Sequence, residues 1–132
     1  MPLTRFGISL DRDLLKKFDR LLDQKGYATR SEAIRDLIRN CLVKDHVDKG
    51  GESAGTITLV YSHDTRELTD TLTDIQHKYH NMVVSSMHIH LDGHNCLEVL
   101  VVRGRSRLIQ KVADRLIGTK GVKHGTLSLT AA

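Results

Sequence analysis

The chain has 132 residues and a formal net charge of +4, with no tryptophan and few other aromatic residues. That length suits one ordinary domain or two small ones that need a partner to bury enough surface, and the shortage of aromatics weighs against base stacking as a mode of action. The mild charge permits a nucleic-acid footprint only where Lys and Arg cluster; the lack of a signal-like or membrane-spanning apolar run predicts a cytoplasmic chain with no membrane partner, in which Cys41 and Cys96 are thiols rather than a disulfide.

"LTRFGISLD" alternates, with Thr4, Phe6, Ile8 and Leu10 on one face and Arg5, Gly7 and Ser9 on the other, which predicts one short strand. "DRDLLKKFDRLLDQKGY" sets Leu14, Leu15, Phe18, Leu21 and Leu22 on a single helical stripe, and Gly26 stands where a helix end favours a left-handed residue. A second helix opens at "TRSE", with Thr29 as N-cap and Glu32 closing a capping box; its stripe is Ala33, Ile34, Leu37, Ile38, Cys41 and Leu42, so Cys41 is expected in the core. A lone strand has both edges bare and each helix has an apolar side to hide, so this segment cannot close a core alone. Two copies solve the problem together: antiparallel pairing of the strands makes a ribbon, four helices cover one face, and the other face presents Arg5, Gly7 and Ser9 twice. Such a ribbon fits the B-DNA major groove, where Arg bonds guanine bidentately.

On "ISLDRDLLKKFD" and "GYATRSEAIRDLIR" the first segment, residues 3–42, resembles the ribbon-helix-helix family of DNA-binding proteins. The resemblance implies an intertwined dimer, Arg5, Gly7 and Ser9 as the base-facing set, and a phosphate held by amides at the start of the second helix, a role helix N-termini suit. Gly7 departs from the pattern, since it offers no side chain to a base and leaves readout there to backbone or shape.

"KDHVDKGGESAG", residues 44–55, has no periodicity and reads as a flexible hinge, dividing the chain into an N-terminal domain at 1–50 and a second domain at 51–132. After it come a strand in "GTITLVYSH", a helix in "TRELTDTLTDIQHKYHN" with Leu68, Leu72, Ile75 and Tyr79 at helical spacing, strands in "MVVSSMHIHL" and "NCLEVLVVRG", a helix in "SRLIQKVADRLIGT" with Leu108, Val112, Leu116 and Ile117 on one side, and a last strand in "VKHGTLSLT". The order βαββαβ is the ferredoxin-like plan, so the whole chain is α+β.

In the hairpin, Met87, Ile89 and Leu91 alternate with His88 and His90, and Leu97, Val99 and Val101 are expected to face the helices, which sends Cys96 and Glu98 to the histidine side. Leu100 and Val102 then fall on an exposed sheet face, apolar because two such faces pack together. Cys96 must sit opposite His90 or His88, so the connecting loop holds an odd number of residues. His77 lies two positions beyond Ile75, about 200° round the helix, and is expected to reach the histidine pair of another subunit rather than its own. Three imidazoles and a thiolate make a soft four-coordinate set; tetrahedral geometry suits zinc, square-planar geometry Ni(II) or Cu(II), and spacing leaves the choice open. His46, His63, His80, His94 and His124 read as solvated. Gln76 and Glu98 could hold the ligating rings by hydrogen bonds, and a solvated polar face accounts for them equally well. A metal-activated hydrolase is the enzymatic rival, but it needs an open coordination position, which His77 closes.

On "RSEAIRD", "VYSHDTREL", "IQHKYH", "MHIHLDGHNCLEV" and "GVKHG" the whole chain is similar to the nickel-responsive transcriptional regulators of the NikR family. That resemblance implies a ribbon-helix-helix domain joined to an ACT-like nickel-binding and tetramerisation domain. It implies one Ni(II) per subunit in a square-planar site, with His77 from one subunit and His88, His90 and Cys96 from another. It further implies a homotetramer built as a dimer of dimers, and a second cation held by Glu32 and Asp36 where the two domains meet. The function implied is non-enzymatic: repression of nickel uptake by binding a palindromic double-stranded DNA operator. The alternative is a ribbon-helix-helix regulator that senses copper, zinc, cobalt or a small molecule through the ACT-like domain.

Overall fold

The computed structural model describes residues 2–131, which divide into two compact units between Cys41 and Leu42.

In the first unit, α1 (Arg12–Gln24) starts where the Asp11 side chain accepts the Leu14 amide at 2.9 Å. It stops before Gly26, whose φ of 78° is the left-handed turn the sequence asks for. α2 (Arg30–Asp48) opens on the Thr29 hydroxyl, which accepts the Glu32 amide at 3.1 Å; the Glu32 carboxylate accepts from Ala28 N at 3.4 Å, one residue before the N-cap. Between the helices Arg30 grips both oxygens of Asp19, each at 2.9 Å.

Two expectations for this unit rest on a second copy and are not met within the single chain. Residues 2–11 form no strand, because a ladder needs a second edge and none of the chain's own strands supplies one. Cys41 is exposed rather than in the core, along with Phe6, Ile8, Leu14, Leu21, Leu37 and Ile38. A groove of about 480 Å³ lined by Phe6, Ile8, Ile34 and Ile38 runs along the same apolar surface.

The expected hinge is mostly regular structure. α2 continues to Asp48 and β1 (Glu52–Ser62) begins almost at once. The end of α2 is tied down within the second unit: the Ser106 hydroxyl donates to Val47 O at 2.6 Å, and His46 Nε2 lies 2.6 Å from Glu52 O.

The second unit continues with α3 (Leu68–Lys78), β2 (Val83–His90), β3 (Asn95–Arg105), α4 (Ser106–Ile117) and β4 (Val122–Ala131). The strands form one sheet in the order β2-β3-β1-β4, every pair antiparallel. Ile57, Leu59 and Tyr61 of β1 with Leu100 and Val102 of β3 meet Leu68, Leu72 and Ile75 of α3 and Ile109, Val112 and Leu116 of α4 in a single core. Among the described residues no helix is long and apolar enough to cross a membrane.

The covered face of the sheet is the reverse of the one expected. Cys96, Leu100 and Val102 are fully enclosed and Glu98 is only 7% exposed, whereas Val101 is 41% exposed and Leu97 and Val99 are half-buried. Leu100 and Val102 therefore build the core rather than a contact between subunits. β3 is apolar on both faces, so alternation sorts its residues into two sets without deciding which set the helices cover. The open face instead carries Met87, Ile89, Leu91 and Val101.

Glu98 is placed among the helices with two donors. The Tyr61 hydroxyl donates to one carboxyl oxygen at 2.9 Å and Gln76 Nε2 to the other at 3.0 Å. Gln76 and Glu98 thus bind each other and Tyr61, not the histidine rings expected. Burial, reinforced by Glu98, pushes the Tyr61 hydroxyl well above its ordinary pKa, so it remains a donor.

Tyr61→Phe is expected to leave Glu98 one donor short in a dry site and to destabilise the second unit by about 1–3 kcal/mol, read as a lower urea midpoint at unchanged slope. For the first unit, the Arg30 hydrogen bond holds the Asp19 carboxyl below the ordinary carboxylate range. Its stabilisation is therefore complete above that range and lost as pH falls through the lowered value. Thermal melts of Asp19→Asn should run below wild type at neutral pH, and the two curves should converge on acidification.

Candidate metal centre

Strand pairing brings the donors together. His90 of β2 stands opposite Cys96 of β3, and Cys96 stands opposite Tyr61 of β1. The residues between His90 and Cys96 are odd in number, as the shared face requires. Asp92 shapes that loop: its side chain accepts the amides of His94 and Asn95, each at 2.8 Å, and the Asn95 side chain at 3.1 Å. These donors hold the Asp92 carboxyl down to about 2.

Cys96 Sγ lies 3.6 Å from His90 Nδ1 and 3.2 Å from Nδ1 of His63. The ligand atoms of His63, His90 and Cys96 all fall within 4.8 Å of one another, the one such group of three His, Cys, Asp or Glu residues among the described residues. His88 is on the same side of the sheet, opposite Glu98, with its ring 5.5 Å from that of His90 and edge-on to Tyr61 at 5.9 Å. Imidazole nitrogen and thiolate sulfur suit zinc, nickel or copper, and oxygen-seeking cations poorly.

The histidines were expected on the sheet face away from the helices. They lie on the covered face and remain exposed because β2 is an edge strand, beyond the contacts α4 makes with β1, β3 and β4. His77, in the last turn of α3, points to solvent and is outside the cluster of its own chain.

His63 was read as solvated, as was His94, and both are engaged. Asp64 joins them: its Oδ2 is 2.7 Å from His94 Nδ1 and its Oδ1 is 3.4 Å from His63 Nε2. The hydrogen bond from His94 keeps the Asp64 carboxyl below its ordinary range, and Asp64 in turn raises His94. The missed signal was parity. His63 lies two residues past Tyr61, on the face Tyr61 shares with Cys96, and that relation appears only once β1 is known to neighbour β3.

Arg5, Gly7 and Ser9 are exposed on the extended N-terminal segment. Glu32 and Asp36 sit one turn apart on α2, and Asp36 accepts the Tyr27 hydroxyl at 2.7 Å and Arg39 Nη1 at 3.3 Å.

Residues 54–130 match the family described as NikR C terminal nickel binding domain, and residues 4–45 match the ribbon-helix-helix proteins of the copG family. A candidate nickel-responsive regulator of Geobacter metallireducens is 61% identical over 127 residues, covering 96% of this chain and 91% of that protein. Another, from Trichlorobacter lovleyi, is 58% identical over 131 residues, covering 98% and 94%, and one from Pyrococcus furiosus is 53% identical over 131 residues, covering 98% and 95%. Among solved structures, an uncharacterized protein of Thermotoga maritima shares the fold of the second unit at TM-score 0.50 and 11% identity, covering 60% of this chain and 95% of that one. The chain therefore belongs to the family of nickel-responsive regulators, which joins a ribbon-helix-helix segment to a NikR C-terminal nickel-binding domain.

Proposed function

We propose that this chain is a nickel-dependent transcriptional repressor of nickel uptake, which binds a palindromic operator when Ni(II) occupies sites shared between subunits. The observation that carries the reading is the meeting of imidazole and thiol on one side of the β2–β3 hairpin, inside the segment that matches the nickel-binding domain. The donor set fits the metal: His88, His90 and Cys96 of one subunit and His77 of another would hold one Ni(II) per subunit. Bound there, Ni(II) would supply a cation that prefers nitrogen and sulfur donors and so would tie the two subunits together.

The chain's own residues do the rest. His77, free on the outer side of α3, is available to a neighbouring subunit. The open sheet face with Met87, Ile89, Leu91 and Val101 gives the second unit an apolar surface for another copy. The bare stripe and groove of the first unit call for the same from an intertwined partner, so a homotetramer built as a dimer of dimers satisfies both. In each dimer the N-terminal segments pair as a ribbon, with Arg5 and Ser9 toward base edges and Gly7 leaving room for backbone approach. Glu32 and Asp36 belong to the same reading as holders of a further cation, in competition with the bonds they already make to Ala28, Tyr27 and Arg39. Nickel acts by binding one arrangement of the assembly better than another; a ligand indifferent between them would shift nothing.

The test is operator affinity on a duplex selected from random sequence, measured at one ionic strength because counterion release sets the scale. Ni(II) is expected to tighten binding of the wild type by about 5- to 150-fold, and to leave Cys96→Ala and His77→Ala unaffected. Arg5→Ala should lose about 1–3 kcal/mol of discrimination at one base pair per half-site. Equal affinity for all proteins with and without nickel would refute the reading.

A further inference from the structure

His63 lies outside the ligand set proposed above, yet its ring is nearer to the Cys96 sulfur than that of His90 is. We propose that His63, aimed by Asp64, forms with His90 and Cys96 a second metal site complete within one chain, for a borderline divalent cation such as Zn(II) that accepts two imidazoles, one thiolate and a water. The inference takes His90 and Cys96 as ligands from the nickel reading and gives them another way to be used.

The spacing supports it. Bond lengths of about 2.0–2.1 Å to imidazole and about 2.3 Å to thiolate put neighbouring nitrogen and sulfur donors about 3.1–3.6 Å apart, from right-angle to tetrahedral arrangements. The observed Nδ1 to Sγ distances are 3.2 Å for His63 and 3.6 Å for His90, which match that range at both nitrogens. The rings of His63 and His90 meet edge to face, with centroids 5.1 Å apart. A three-donor set with a place for water suits a cation content with tetrahedral coordination; planar Ni(II) needs a fourth strong donor.

Asp64 makes the ring competent. Its Oδ1 lies 3.4 Å from Nε2 of His63, on the side of the ring away from the sulfur, so a proton on Nε2 would leave the Nδ1 lone pair toward Cys96, the arrangement a metal-bound histidine needs. The carboxylate is itself fixed by His94, and the backbone amide of His63 donates to His94 O at 3.0 Å, so the β1 end and the hairpin loop hold each other. His63 is half-buried, reachable from solvent but not free to wander. Both sites draw on His90 and Cys96, so one hairpin holds either this cation or the one shared with His77, never both.

Co(II) is the probe, because tetrahedral thiolate ligation gives it intense visible bands. The full-length protein is titrated as wild type, His77→Ala, His88→Ala, His63→Ala, and His63→Ala in the His77→Ala background, with thermal melts to confirm folding. His77→Ala and His88→Ala are expected to keep the tetrahedral Co(II)–thiolate spectrum; adding His63→Ala to His77→Ala should abolish it or weaken binding at least about tenfold, and Asp64→Asn should cost about 10-fold or more. The proposal is overturned if the double variant binds Co(II) as His77→Ala does, or if the spectrum depends on His88 and not on His63. Ni(II) titration of His77→Ala separates the two readings: unchanged nickel affinity there sinks the shared nickel site and leaves the Co(II) outcome to stand or fall by itself.

Discussion

Strand parity in the β2–β3 hairpin is the constraint on which the metal chemistry depends. His90 opposite Cys96, and Cys96 opposite Tyr61, put three strands' worth of side chains on one side of the sheet in a single row. Side chains alternate with a period of two, so a loop longer or shorter by one residue would turn the sulfur away from both imidazoles. Asp92 guards that length. Its carboxylate, kept ionised by three donors from His94 and Asn95, shapes the turn for the register that the site requires.

The second requirement is that the row be reachable. On the central strands the same face is sealed by α3 and α4, and Leu100, Val102 and Ile57 disappear into the core. Only at the edge does the cover end, where β2 leaves His88 and His90 exposed while Cys96, one strand further in, is enclosed. The site therefore straddles the boundary between core and solvent. Glu98 sits just behind it with both oxygens occupied by Tyr61 and Gln76, which joins the last turns of α3 to β3 beside the histidines.

Much of this was legible beforehand. The core stripe of α3, the Thr29 cap, the left-handed Gly26 and the odd loop all follow from local chemistry, which depends on residues a few positions apart; in α4 Val112 and Leu116 reach the core as expected, but Ile109 and Ala113 join them and Leu108 is exposed. The covered face of the sheet did not follow. Leu97, Val99 and Val101 are as apolar as Leu100 and Val102, and nothing within β3 says which set the helices choose. His63 escaped for a related reason: its place beside Cys96 depends on β1 neighbouring β3, a long-range pairing with no local signature. The N-terminal segment alternates as a strand able to pair does, whereas the pairing itself needs another edge, which a single chain does not offer.

The contrast between an enclosed sulfur and open imidazoles has a kinetic consequence. His88 and His90 trade water freely at the sheet margin, while Cys96, with no exposed surface, meets an incoming reagent only when the hairpin breathes. Alkylating agents and oxidants should thus find the thiol slow to react although its neighbours are open, and the cadence of metal exchange becomes a measure of how often that margin lifts.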